Sequence, residues 1–292
     1  MIHAHPYNIV RPLIQANNVS FSVNSNGSKK ILLRDIGTEK MPFLINDITR
    51  PDVTNTGQTI AVVGRSGGGK STLFRMLAGL AKPTTGQILI PKHTRDHDEL
   101  DKLVEVQEGS VGFVQQNYPL SRNQSVQGML WDAAVQGNIP RHERMGVIEN
   151  YLEEWGLKDQ RTQSRNQLSG GQRQRLAIME QLLCSHHFII FDEPFSGLDP
   201  KNVDGLKKVF NQIVTVDEIN TILFSTHDLH LAVELADQIF VIGYEKDDQG
   251  NYLAGGTVIK EYDLKTMGLA WNPYGDQHQE LKEEIKLLIE TN

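Results

Sequence analysis

The chain has 292 residues, with 29 Lys plus Arg against 36 Asp plus Glu, and a formal net charge of −7. That acidic balance excludes a general nucleic-acid coat, which presents a basic surface, and 39% hydrophobic residues with 22% charged ones exclude wholesale disorder. One cysteine, Cys184, excludes an intramolecular disulfide and a multi-cysteine zinc site, and no apolar run nears the roughly 18 residues that mark a membrane span. The first residues, MIHAHPYNIVRPLIQ, lack the apolar core of a secretory signal, so the chain reads as a soluble cytoplasmic protein.

In chain order, the segment 31–54 is interrupted by Pro42 and Pro51 and reads as antiparallel strands. A buried strand is predicted over 59–63, running into Gly64-Arg-Ser-Gly-Gly-Gly-Lys-Ser71. This fits G-x-x-x-x-G-K-[ST], the P-loop. Glycines let successive N–H groups face phosphate oxygens, and a following helix, predicted over 71–80, aims its N-terminal dipole at the same anion. Gly64, Ser66, Gly67, Gly68, Gly69, Lys70, Ser71 and Thr72 are therefore candidate phosphate-binding residues. Lys70 supplies a point charge to the terminal phosphates and the Ser71 hydroxyl is placed for Mg²⁺.

The charged segment 92–108 holds His93 and His97 at metal-compatible spacing, but reads as a solvated surface. Helices are predicted over 126–138, 142–156 and 172–183, so the middle of the chain is a helical lobe, about 117–167, inserted between strand-bearing halves. A second buried strand, 187–191, ends in Asp192 and Glu193. A parallel sheet delivers such strand-end side chains to the crevice at its carboxyl edge. Asp192 is then a candidate Mg²⁺ ligand, and Glu193 a general base for an attacking water. Strands over 221–225 and 239–242 follow, and Leu281, Ile285, Leu288 and Ile289 stripe a helix over 279–289 that packs on its own core. Short apolar strands alternating with helical segments indicate an α/β sheet protein.

Leu168-Ser-Gly-Gly-Gln-Arg-Gln-Arg-Leu176 offers a second anion site: Ser169 caps a helix and Gly170 and Gly171 expose N–H groups at its start. This run resembles the signature motif of ATP-binding-cassette (ABC) ATPases and stands upstream of Asp192 as in that family. Phe113-Val-Gln-Gln-Asn-Tyr118 resembles its Q-loop, with Gln116 as the glutamine; Ser196-Gly-Leu-Asp199 its D-loop; and Ser225-Thr-His-Asp228 its switch segment, with His227 as the histidine. The resemblance spans about 14–259.

The resemblance implies a P-loop core of mostly parallel sheet, an antiparallel β subdomain and the helical lobe, all within one domain over 1–265, followed by an extension over 266–292. It implies ATP and Mg²⁺, with Glu193, His227 and Gln116 catalytic, Ser71, Gln116 and Asp192 at the metal, and Ser169, Gly170, Gly171 and Asp199 also at the nucleotide. Two copies, or a copy and a paired ABC subunit, would sandwich MgATP head to tail, and separate transmembrane permease subunits would hold the chain on the inner face of the membrane. A non-transport ABC ATPase, such as a cofactor-assembly factor, is the alternative. The chain departs from the family at Val23, where an adenine-stacking aromatic usually stands, leaving Phe21 or another side chain to bear the base; at Glu180 and Gln181, which usually read Arg-Ala; and in the longer stretch between Asp35 and Gly57.

Overall fold

The computed structural model describes residues 6–25, 27–51, 57–92, 102–114, 123–185, 187–216 and 219–292. The chain opens with β1 (Asn8–Ser25), β2 (Ser28–Ile36), β3 (Phe43–Thr49) and β4 (Gln58–Gly64), then α1 (Lys70–Leu77), β5 (Thr85–Pro91), β6 (Leu103–Glu105) and β7 (Gly112–Val114). The middle holds α2 (Val126–Gln136), α3 (Arg144–Glu154) and α4 (Gly170–Ser185). The remainder is β8 (Phe188–Phe191), α5 (Pro200–Val216), β9 (Thr221–Thr226), α6 (Leu229–Leu235), β10 (Gln238–Gly243), β11 (Thr257–Asp263) and α7 (Asp276–Thr291).

Two sheets result. One is antiparallel and is organised by β1, whose first half pairs with β3 (Ala16 opposite Phe43) and whose second half pairs with β2 (Ser25 opposite Ser28). Pro42 lies just before β3 and Pro51 just beyond it, so neither breaks the ladder. The other sheet has the order β11-β10-β4-β9-β8-β7, parallel except for β11 at its edge.

The parallel strands are buried on both faces, and alternate residues feed two cores. Ala61, Val63, Phe191 and Phe224 face a core shared with α2, α4, α5 and α7. Ile60, Val62, Leu223 and Phe240 face a second core, closed by α1 and the antiparallel sheet. Phe240 stacks on Phe43 there at 4.3 Å, joining the two sheets. On the opposite face Phe210 of α5 packs against Phe191, Phe195 and Phe224.

Several expected bounds shift for local reasons. Helix α1 stops at Leu77 rather than 80, because Gly79 turns at φ +70° and a Cβ there would lie 2.3 Å from the Gln107 carbonyl carbon. Helix α2 stops at Gln136 rather than 138, with Asn138 at φ +55°. Helix α3 covers only Arg144–Glu154 of the expected 142–156. Helix α7 begins three residues earlier than expected, and its Leu281 and Ile285 are buried in the main core. Helices α5 and α6 stand where no helix was predicted.

Candidate functional site

The register of three strands assembles the site. β4 runs beside β9 with Val63 opposite Thr226, and β8 runs beside β9 with Phe191 opposite Phe224. One residue further on, the chain must place Gly64 near His227 and Asp192 near Ser225. The carboxyl ends of β4, β9 and β8 therefore converge on one crevice, the position the parallel sheet favours for a ligand.

Around the P-loop, Gly67 and Gly69 take φ +79° and +102°, values that L side chains rarely adopt. Gly69 is the residue before α1, and the Leu73 N–H closes on its carbonyl at 2.8 Å. The Lys70 ammonium is nearly buried and curls back over the loop, donating to the Gly64 carbonyl at 2.8 Å and the Arg65 carbonyl at 3.3 Å. Burial pulls its pKa down, and the charges of Glu193 and then Asp192 oppose that pull. A buried cation held by carbonyls and facing carboxylates suits an incoming polyanion.

Opposite Lys70, Glu193 sits at φ +50°, an uncommon and strained value for a residue with a Cβ. That conformation is held from both ends. Its N–H donates to Ser225 Oγ at 2.8 Å, and one carboxylate oxygen lies 3.0 Å from His227 Nδ1. The other oxygen is 3.9 Å from Lys70 Nζ. The Ser225 hydroxyl in turn donates to Asp192 at 2.7 Å, so a single buried hydroxyl fixes both acids. These groups surround a cleft of about 310 Å³ lined by Leu32, Ser66, Gly67, Gly69, Lys70, Ser71, Thr72, Glu193 and His227.

The signature residues stand elsewhere. Ser169, Gly170 and Gly171 open a second cleft of about 620 Å³, between α4 and α5, which shares no lining residue with the first. Ser169 and Gln172 cap α4 reciprocally: the Ser169 N–H donates to Gln172 Oε1 at 2.8 Å and the Gln172 N–H to Ser169 Oγ at 3.3 Å. The second cleft is also lined by Gln174 and Arg175, whose buried Nε2 and Nε have no hydrogen-bond partner among the described residues. Asp199 caps α5, accepting from the Asn202 N–H at 3.0 Å and its side-chain amide at 2.7 Å, and Pro200 follows as the first helical residue. Asp199 lines neither cleft. Gln116, His93 and His97 lie outside the described residues.

Three side chains at or behind the site take roles that the sequence does not assign them. Ser225 lies near the end of the strand between the two motif-bearing strands, and a hydroxyl there is its signal in the sequence. Leu32 forms the apolar wall of the first cleft, whereas neither Val23 nor Phe21 lines it, and Phe21 packs instead on the second core. Gln181, one of the departures, accepts the Phe113 N–H at 2.9 Å and so ties α4 to β7 just before residue 115.

The residues match known proteins as well as forming this geometry. A family model described as "ABC transporter" matches residues 53–196. A sulfate/thiosulfate import ATP-binding protein of Thermosynechococcus vestitus is 34% identical over 208 residues, 71% of this chain and 58% of its own length. A macrolide export ATP-binding/permease protein of Shewanella oneidensis is 32% identical over 230 residues, 75% of this chain and 34% of its own. The chain thus spans between about a third and three-fifths of these curated relatives. Among solved structures, cbiO1 of Clostridium perfringens, part of an ABC transporter complex, superposes with a TM-score of 0.66 at 24% identity, covering 95% of this chain and 96% of the other.

Proposed function

The chain belongs to the ATP-binding-cassette family, and we propose that it is the ATP-hydrolysing subunit of a transporter, working with separate transmembrane permease subunits. The observation that carries the ATPase reading is the juxtaposition of the buried Lys70 ammonium with the doubly held Glu193 carboxylate across the P-loop cleft. The donor set suits MgATP. Backbone N–H groups of the loop and Lys70 meet phosphate, while the Ser71 hydroxyl and Asp192 carboxylate are oxygen ligands of the kind Mg²⁺ takes. Among the described residues no group of three acidic or imidazole side chains forms a metal site alone, so the ion would arrive with the nucleotide. When bound, Mg²⁺ neutralises charge on the phosphates.

The chain's own groups do the rest. Lys70 binds and orients the terminal phosphates. Glu193 takes the proton of the attacking water at its carboxylate, and its strained backbone keeps that carboxylate aimed into the cleft. His227, largely exposed at the cleft mouth, steadies Glu193 and reaches toward the terminal phosphate. Gln116 belongs with this set as a ligand and sensor. Leu32 supplies the apolar surface for the base, in place of Val23 and Phe21.

The separation of the two clefts favours a pair of copies. A signature that cannot reach its own P-loop serves another chain's, and a two-fold pairing presents each signature to the opposite nucleotide. The orphaned polar atoms of Gln174 and Arg175 are the kind of group that an outside partner satisfies. No helix among the described residues is long and apolar enough to cross a membrane, which fits peripheral attachment through permease subunits. On this reading 1–265 acts as one catalytic domain, with the helical lobe at about 117–167 facing the permease.

The test is light scattering with and without MgATP, together with nucleotide titration. The unaltered protein should bind MgATP and roughly double its mass under non-hydrolysing conditions. Lys70→Ala should lose most nucleotide affinity. Retained affinity in that variant removes Lys70 from the phosphate site, and a nucleotide-bound monomer overturns the two-copy reading.

A further inference from the structure

The last turn of α7 lies against the P-loop, although more than 200 residues separate them in sequence. Arg65, the second residue of the loop, extends its guanidinium to the backbone carbonyl of Glu290. The neighbouring carbonyl, of Thr291, accepts from Lys246 Nζ at 3.1 Å and from the Tyr252 hydroxyl at 3.5 Å. A guanidinium and an ammonium thus both hold backbone carbonyls of that turn.

Both ties lead back to the phosphate-binding backbone. The Arg65 carbonyl accepts from Lys70 Nζ at 3.3 Å and from the Gly68 N–H at 3.1 Å, so a pull on the Arg65 side chain acts on the residue that seats Lys70. From Tyr252 the path runs edge-to-face onto Tyr244, at 6.3 Å between ring centres, and the Tyr244 hydroxyl donates to the Gly67 carbonyl at 3.4 Å. The connection between β10 and β11 also backs directly onto the loop: a Cβ on Gly256 would lie 2.1 Å from the Gly68 oxygen. At its other end α7 is fixed, because Leu281 and Ile285 are buried in the main core and Tyr262 donates to Glu284 at 2.8 Å.

We propose that the last turn of α7 is a positioning element for the phosphate loop: by holding Arg65 it keeps the loop curled for a nucleoside triphosphate, and so sets affinity without touching the ligand. The proposal rests on the ATP-site reading above. It gives the segment after 266 a role within the same chain.

The experiment uses the full chain. Glu290 is exposed, so Glu290→Pro removes no buried side chain; losing its N–H and clashing with the Lys286 carbonyl, it distorts the turn that presents the 290 carbonyl to Arg65, while Leu281 and Ile285 anchor the helix upstream. KM for ATP should rise about fivefold to tenfold, the scale of one lost charge-assisted hydrogen bond, with kcat within about twofold. Arg65→Ala should raise KM by a similar factor, and the double variant by no more than the larger single effect. Lys246→Ala, which leaves α7 itself unaltered, should raise KM about twofold and decides the matter if Glu290→Pro does not fold. An unchanged KM in Glu290→Pro or Lys246→Ala, a fall in kcat alone, or effects that multiply in the double variant would overturn the proposal while leaving the ATPase reading intact. Failure of the unaltered protein to bind ATP would overturn both.

Discussion

At the scale of single residues, Ser225 does the most with the least. Its hydroxyl accepts from the backbone of Glu193 and donates to the carboxylate of Asp192, at 2.8 and 2.7 Å, in a fully buried position. Ser225→Ala removes both contacts and leaves the half-buried Glu193 N–H without its acceptor, a loss on the order of 1 kcal/mol. We expect kcat for ATP hydrolysis to fall about tenfold to a hundredfold, with a smaller change in KM and a raised Mg²⁺ requirement. Steady-state rates across a magnesium series check this, and an unchanged kcat would remove Ser225 from the account. The contrast with Lys70 explains what could be read in advance. Lys70, Ser71 and Asp192 are legible because their spacing to glycines or a strand end is local. The bond between Ser225 and Asp192 joins residues 33 apart and exists only once β8 and β9 take their register. The φ of +50° at Glu193 leaves no mark in the sequence for the same reason.

At the scale of elements, α4 carries an unusual burden. It bears the signature at its start, Gln181 on β7, and a half-buried Glu180 that faces Asp132 of α2. Burial, and then the charge of Asp132, raise the Glu180 pKa from 4.5 to about 7. The folded chain thus keeps a proton that the unfolded chain releases, so stability falls as pH rises from about 4.5 through about 7. Asp237, raised to about 6 by burial, acts in the same direction. Glu180→Gln should therefore lessen the decline and stabilise the protein above pH 7, with little change near pH 4. Thermal midpoints measured at pH 5 and pH 8 check this; an unaltered slope would place the proton elsewhere. The expected strands 59–63, 187–191, 221–225 and 239–242 match β4, β8, β9 and β10 because continuous apolar runs between turn signals have few other uses in a doubly covered sheet. Helix α5 was equally open to reading, since Asp199 and Pro200 mark its start and Leu206, Val209, Phe210 and Ile213 stripe one face. Helix α6 has only seven residues and offers little periodicity. The early stop of α1 depends on a close approach to Gln107, which no local pattern records.

At the scale of the whole molecule, the two clefts divide the work. One gathers Lys70, Ser71, Glu193 and His227 at the edge of the parallel sheet, and the other presents Ser169, Gly170 and Gly171 from between α4 and α5. On the proposed reading the first binds a polyphosphate and deprotonates a water, and the second serves another copy, with nucleotide as the link between chains.

The proposed ATPase depends most on Glu193 as its general base. The most direct measurement is phosphate release from MgATP by the unaltered protein and by Glu193→Gln, with nucleotide binding followed in parallel. With Glu193 as the base, turnover should fall about 10²- to 10⁴-fold, the range of a lost general base, with MgATP still bound. Undiminished turnover in Glu193→Gln would contradict that role.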